Sequence, residues 1–308
     1  MPAEPDFQAP DPREVDPRVV RRAFGRAVAT YDAAAALQRE VGARMASRLE
    51  YVRVAPALVL DAGCGTGEAV GELSIRYPGA RVVALDLALP MVAAARERAR
   101  HGRSLMRRLL PAALSGAARA PWFVCGDVNA LPLRGVAFDL VWSNLALQWV
   151  NDAPRAFAEL RRVLAPGGLL MFSTFGPDTL KELRAAFADG YAHTQRFIDM
   201  HDLGDMLVGY GFADPVMDME VITLTYDDLD AMFAELRAAG SACAMKARHH
   251  GLTGRQAWAE ARAAYERMRR DGKLPATFEV VYGHAWKTEA KQTADGRAIV
   301  RFDLPRKK

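Results

Sequence analysis

Three carboxylates and three glycines carry the most legible chemistry in this chain. Asp61-Ala62-Gly63-Cys64-Gly65-Thr66-Gly67-Glu68 follows the apolar run Leu58-Val59-Leu60 and precedes a helical pattern over Ala69 to Tyr77, so the glycines occupy a strand-to-helix turn. Glycine reaches backbone conformations closed to other residues and leaves no Cβ between chain and ligand, and the helix behind the turn offers unpaired N–H groups. A turn of this kind is a cofactor-binding position. The dinucleotide fingerprint G-x-G-x-x-G does not fit, since its last glycine falls on Glu68 or Val70 depending on register. A second β-branched run, Arg81 to Leu85, ends in Asp86, roughly 20 residues past Gly67, the offset at which α/β folds place a carboxylate to hold both hydroxyls of a ribose. A third, Trp122 to Cys125, leads into Gly126-Asp127-Val128.

The pattern D-x-G-x-G-x-G resembles that of the class I S-adenosylmethionine-dependent methyltransferases, whose cofactor has no pyrophosphate to cradle. The resemblance implies cofactor contacts from Asp61, Gly63, Gly65, Gly67, Asp86 and Leu87. It also implies that Asp127 takes the adenine amino group while the Val128 backbone takes a ring nitrogen. Ser143 and Asn144 end a fourth strand, Phe138 to Asn144, at the carboxyl edge where open α/β sheets bind ligands, and are expected to line the site.

Positioning these groups requires strands alternating with helices of 10–15 residues, hence a parallel, doubly wound sheet. A helix over Ala153 to Leu164 stops at Ala165-Pro166-Gly167-Gly168 and turns into a fifth strand, Leu169 to Thr174. Before the first strand, apolar residues recur at helical spacing from Val19 to Leu49, which predicts a helical lid carrying Phe24 and Tyr31. Beyond Phe175 the alternation breaks. Asp178 offers an N-cap for one helix, Asp199 to Gly211 holds another, Val216 to Thr225 reads as a strand, and helical stretches over Asp227 to Ala239 and Gly254 to Asp271 precede a strand from Thr277 to Trp286.

Several segments of this last region resemble the malonyl-acyl carrier protein O-methyltransferases of biotin synthesis. They are Phe172 to Leu180, Asp199 to Asp205 and Leu274 to Trp286, together with the Phe24 to Gln38 lid and Ser143 to Trp149. The resemblance implies a Rossmann-like, mostly parallel seven-stranded sheet with its last strand antiparallel, and a helical substrate cap inserted in the C-terminal half. It implies methylation of the free carboxylate of a malonyl thioester, S-adenosyl-L-methionine as cofactor, and an acidic acyl carrier protein as partner. Gly240-Ser241-Ala242-Cys243 departs from the family, in which an asparagine is expected near Cys243. A malonyl carboxylate is already ionised at neutral pH, so no general base is assigned. Tyr31, Asn144, Trp149, His201, Arg248 and Tyr282 are the substrate-binding candidates, with Arg196, His249 and His284 as further cations. Arg255, Arg262 and Arg269, spaced to share a helix face, are expected to meet the carrier. Two other readings stay open: methylation of a small molecule such as a quinone precursor, and a respiratory-complex assembly factor or arginine hydroxylase on the same fold.

Composition agrees with an enzyme of this size. The 308 residues, 51% hydrophobic and 25% charged with net charge +4, can bury a sizeable core but do not by themselves point to nucleic acid. The expected divisions are a disordered 1–18, a lid at 19–50, a cofactor-binding core at 51–175, the rest of the core with its cap at 176–288, and a basic tail at 289–308. No apolar run approaches the roughly 20 residues of a membrane span, and the acidic, proline-rich start is unlike a signal peptide, so the cytoplasm is expected. Cys64, Cys125 and Cys243 lack C-x-x-C spacing and the adjacent His249 and His250 lack a ligand partner at i+4, so neither a disulfide framework nor a metal is expected.

Overall fold

A computed structural model describes residues 14–109, 119–187, 189–251 and 253–288; the expected N-terminal disorder falls mostly, and the basic tail wholly, outside them. The elements in order are α1 (Pro17–Ala34), α2 (Ala36–Arg48), β1 (Leu58–Ala62), α3 (Glu68–Arg76), β2 (Arg81–Asp86), α4 (Leu89–Leu109), β3 (Trp122–Cys125), β4 (Phe138–Asn144), a 3-10 turn (Leu147–Trp149), α5 (Ala153–Val163), β5 (Leu164–Phe175), α6 (Lys181–Ala186), α7 (Met200–Gly209), β6 (Phe212–Tyr226), α8 (Leu229–Ala238), α9 (Arg255–Glu266) and β7 (Leu274–Lys287).

One seven-stranded sheet runs β3-β2-β1-β4-β5-β7-β6. Strands β1 to β5 pair in parallel, and β7 enters antiparallel between β5 and the edge strand β6. The strand order reverses between β1 and β4, both of whose carboxyl ends open on one crevice, the place where such sheets bind ligands. The central strands are buried on both faces, as parallel strands under helices must be. On one face α2, α3 and the cap helices pack Val41, Met45, Leu73, Met232 and Tyr265 over Trp142 and Val280. On the other, α5 and α7 pack Phe157, Leu160, Leu203 and Leu207 over Val141 and Phe172.

The expected helical lid is two helices, with a break at Ala35 (φ −86°, ψ 37°), whose N–H still donates to the Tyr31 carbonyl. The break lets α1 lie across the crevice while α2 packs on the sheet. Asp178 is not an N-cap. Leu180 takes that position with φ 54°, and Asp178 pairs with Lys181 instead. Helix α9 stops at Glu266, short of Asp271, where Asp271 and Gly272 both adopt positive φ and turn the chain into β7. Among the described residues no helix is long and apolar enough to cross a membrane, and no group of three or more His, Cys, Asp or Glu stands where it could hold a metal.

Candidate active site

The glycine turn is built by close approaches within the protein as much as by openness to a ligand. Gly63 (φ 89°) and Cys64 both donate to the Leu85 carbonyl, at 2.8 and 2.9 Å, binding the turn to the end of β2. A Cβ on Gly63 would stand 2.3 Å from Ala146 Cβ, and one on Gly67 (φ 84°) would stand 2.8 Å from Ala95 Cβ on α4. Gly65 (φ 51°) borders the crevice with room to spare, Tyr31 lying 3.6 Å from the Cβ position. Gly63→Ala therefore combines a clash with a forbidden backbone conformation. It is expected to cost about 2 kcal/mol or more, lowering the thermal midpoint by several degrees in a differential scanning measurement.

Asp86, at the end of β2, organises the turn from the opposite side. Its Oδ2 accepts the Gly65 N–H at 3.0 Å and its Oδ1 accepts the Ala88 N–H at 2.8 Å. Burial pushes its carboxyl above the usual range, with these backbone donors pulling the other way. Each carboxylate oxygen keeps a further acceptor site. Asp86, Leu87, Gly65, Asp127, Val128 and Tyr31 share a cavity of about 170 Å³ roofed by α1 through Val20 and Phe24. Asp127 Oδ1 accepts the Asn129 N–H at 2.8 Å, which fixes the carboxylate at the cavity wall.

A second cavity, about 420 Å³, continues past Gly63 beneath α2. Asp61 lines it at 1% exposure, its Oδ2 fully buried without a hydrogen-bond partner. Burial and then the neighbouring Asp86 push its carboxyl up to about 8. A buried carboxylate left without a donor is costly unless a cation completes it. Tyr31 borders both cavities, its phenol held above the usual range by burial first and by Asp86 second.

A third cavity, about 300 Å³, lies under the cap. Phe175, Phe197, Phe233 and Phe278 form apolar walls, and Gln38, Gln148 and Gln195 supply amides. His193 reaches it with Nε2 2.8 Å from Asp189. Trp149 stands in the wall between this cavity and the α1-roofed one, edge-on to Phe24 at 5.2 Å.

The remaining expected site residues are distributed less simply. Asn144 borders both crevice cavities, but its amide is engaged at both ends: Nδ2 donates to the Gln38 carbonyl at 2.9 Å and Oδ1 accepts from Ser173 Oγ at 2.8 Å. It positions α2 over the sheet. Ser143 does not line the site as expected; it is fully buried and its hydroxyl donates to Ala62 O at 2.8 Å, because its side chain points to the face of β4 opposite the crevice wall. His201 is corrected as well. It is exposed at the start of α7, bound to Asp199 on the far face of the sheet from the cap. Tyr282 lies in the sheet core with the Arg48 guanidinium 3.8 Å above its ring, away from the cap cavity. Arg248 donates to the Met245 carbonyl and stays behind the cavity lining. Arg196, His249 and His284 also lie outside that lining. Sequence reasoning missed Gln38 and Arg237, which do line it; their one signal was position in the lid and in the cap's first long helix.

A family model for a methyltransferase domain matches residues 60–172, the span from β1 to β5. The malonyl-[acyl-carrier protein] O-methyltransferase of Laribacter hongkongensis is 55% identical over 92% of this chain and 94% of its own length. The protein of that name from Gallionella capsiferriformans is 51% identical over 93% of this chain and 96% of its own.

The chain belongs to the malonyl-[acyl-carrier protein] O-methyltransferase family.

Both matched lengths run well past the methyltransferase domain and take in lid and cap, so this family's likeness includes the cap cavity as well as the crevice. Among solved structures, the YcgJ protein of Bacillus subtilis shares the fold with a TM-score of 0.55 at 16% identity, covering 80% of this chain and 98% of its own. Phosphoethanolamine N-methyltransferase 2 of Haemonchus contortus, solved in complex with S-adenosyl-L-methionine, does so with a TM-score of 0.50 at 16% identity, covering 85% of this chain and 57% of its own.

Proposed function

We propose that this protein methylates the free carboxylate of malonyl-acyl carrier protein, using S-adenosyl-L-methionine, and so supplies the methyl ester from which biotin synthesis proceeds. The observation that carries this reading is identity of 55% across lid, core and cap with a relative named for that reaction. Neither a quinone precursor nor a protein arginine appears in the names of these relatives.

The crevice residues fit the cofactor. The orphaned carboxylate oxygen of Asp61 suits a cationic group, and Asp86 retains acceptor sites for two ribose hydroxyls. On this reading Gly63, Gly65 and Gly67 shape the turn, Leu87, Asp127 and Val128 hold the base, and Tyr31 and Trp149 close the roof. When bound, the cofactor supplies a sulfonium methyl group as electrophile. The chain's own residues then align and dehydrate the nucleophile. Trp149 and the phenylalanines of the cap cavity keep water from the carboxylate, and Gln38, which borders both the cap cavity and the one containing Asp61, offers a neutral donor at their junction. Such a transfer disperses two opposite charges, so an apolar wall with neutral donors favours it over a tight cation that would hold the carboxylate in its starting state. Positioning alone supplies roughly 7–11 kcal/mol in well-aligned reactions.

The test is direct. With S-adenosylmethionine and malonyl-acyl carrier protein, malonyl-coenzyme A or free malonate in parallel, mass spectrometry should show a malonyl thioester gaining one CH₂, about 14 Da, with matching S-adenosylhomocysteine. Proven cofactor binding without an ester on any malonyl thioester would overturn the reading.

The partner is an acyl carrier protein. The expected docking face, however, is not a single helix surface. Arg262 makes a two-pronged pair with Asp230 at 2.8 and 2.9 Å, and Arg269 lies beyond the end of α9, bound to Glu266 and to the carbonyls of Asp227 and Gly272. Arg255 remains exposed at the start of α9.

A further inference from the structure

Helix α1 carries Arg18, Arg22 and Arg26, all exposed. Steps of four residues turn a helix by about 40° and advance it about 6 Å, so the three form one strip about 12 Å long. Among the described residues none of them joins an ion pair. The acidic groups beside them are already engaged: Asp16 caps α1, Asp32 binds Thr66 and Arg98, and Glu14 binds Lys246. Arg21, on the same helix, turns into the α1-roofed cavity.

The strip leads to the cap cavity. Residues 238–246 run along α1 in the opposite direction: Thr30 Oγ1 donates to Ala238 O at 2.9 Å, a Cβ on Gly240 would touch Phe24, and Asp16 N–H donates to Ala244 O at 2.7 Å. Arg237, one residue before this run, is exposed and lines the cap cavity. Among the described residues it too has no ion pair. The arginine of α9 that meets α8 does so at Asp230, near the opposite end of α8, about 10 Å from Arg237 along the helix axis.

We propose that the acidic carrier protein docks on the Arg18–Arg22–Arg26 strip, with Arg237 at the mouth meeting the phosphate at the root of its prosthetic arm. This rests on the activity proposed above. Carboxylates on the carrier surface meet three cations that pair with no acid among the described residues, and the arm enters the cap cavity past Arg237, beside the seam that joins α1 to the end of α8. Charge complementarity of this kind acts mainly on the encounter rate and weakens with salt.

The experiment compares two substrates, malonyl-acyl carrier protein and a carrier-free malonyl-pantetheine, on the intact enzyme. Arg18→Glu/Arg22→Glu/Arg26→Glu should lower kcat/KM for the carrier substrate by about tenfold or more and flatten its dependence on ionic strength. Turnover of malonyl-pantetheine should stay within about twofold of wild type, which also reports that the variant is folded and binds cofactor. Arg→Gln replacements at the same three positions should give a smaller loss of the same kind. Equal losses on both substrates, or a carrier-specific loss in Arg255→Glu but not in the triple variant, would overturn the docking face. Fluorescence anisotropy of labelled carrier against the same variants reads the surface without turnover. A wild-type enzyme inactive on every malonyl thioester would therefore count against the activity alone, while carrier binding that ignores the α1 charges would count against the face.

Discussion

Asp86→Ala should lose nearly all cofactor affinity: about 3–4 kcal/mol, or 10²- to 10³-fold in the dissociation constant for S-adenosylhomocysteine measured by calorimetry. Two effects combine. The substitution removes the two acceptor oxygens proposed for the ribose, and it also orphans the Gly65 and Ala88 N–H groups that those oxygens satisfy at 3.0 and 2.8 Å. The first effect is confined to the ligand, whereas the second loosens the turn itself. Asp86→Asn separates them, since its amide oxygen can still accept one of the backbone bonds; it should recover part of the thermal stability but little of the affinity. Affinity in Asp86→Ala within about threefold of wild type would remove Asp86 from the cofactor site.

Asp61→Asn should act in opposite directions on the empty and the cofactor-bound protein. In the empty protein burial holds the Asp61 carboxyl up to about 8, whereas in the unfolded chain it titrates near 3.9. A raised folded value means that the folded state binds the proton more tightly. Its favourable contribution is thus complete below the unfolded value and is lost as pH rises through the region up to about 8. Removing the charge should raise the thermal midpoint of the empty protein by several degrees at pH 8.5 relative to wild type, and by little at pH 4. Cofactor binding should weaken about tenfold or more, because the cation proposed to complete Asp61 loses its partner. A related signature needs no mutation. A cationic ligand favours the ionised carboxylate, so binding near pH 7 should release protons, seen as a dependence of binding enthalpy on the ionisation heat of the buffer. Proton release undiminished in Asp61→Asn would show that another group is responsible.

The crevice was more legible in the sequence than the cap, for a physical reason. A strand, a glycine turn and an acid at each of the next two strand ends are short-range patterns whose geometry follows from the local chain, and β1, β2 and β3 deliver Asp61, Asp86 and Asp127 to one edge as that pattern requires. The glycines were read correctly as necessary but with an incomplete cause: Gly63 and Gly67 make room for Ala146 and Ala95, contacts across the fold that no local pattern contains. Ser143 shows the limit of period-two reasoning. A residue at a ligand-binding strand end has even chances of facing away, and this one bonds back to Ala62. The cap cations failed as candidates because side-chain destination is set by tertiary contacts. Arg262 and Arg269 are consumed by acids on α8 and α9 and by the turn into β7, and His201 is carried to the other face by α7. Gln38 carries no charge and ends the lid segment without a feature of its own, so within that segment nothing in the sequence singled it out.

The fastening of α1 to residues 238–246 bears on how the protein comes into being. The hydrogen bond from Thr30 to Ala238 closes a separation of 208 residues, and Val15 pairs with Met245 across a similar distance. Contacts this remote in sequence are slow to form and wait on the intervening chain. During synthesis α1, which emerges before the core strands, has no seat until the cap has left the ribosome, while β1 to β5 can already assemble the glycine turn and its acids. The roof over the crevice is thus made from a segment that precedes the core and fixed by one that follows most of it, and a nascent protein holds its carboxylates in place well before it can close the crevice.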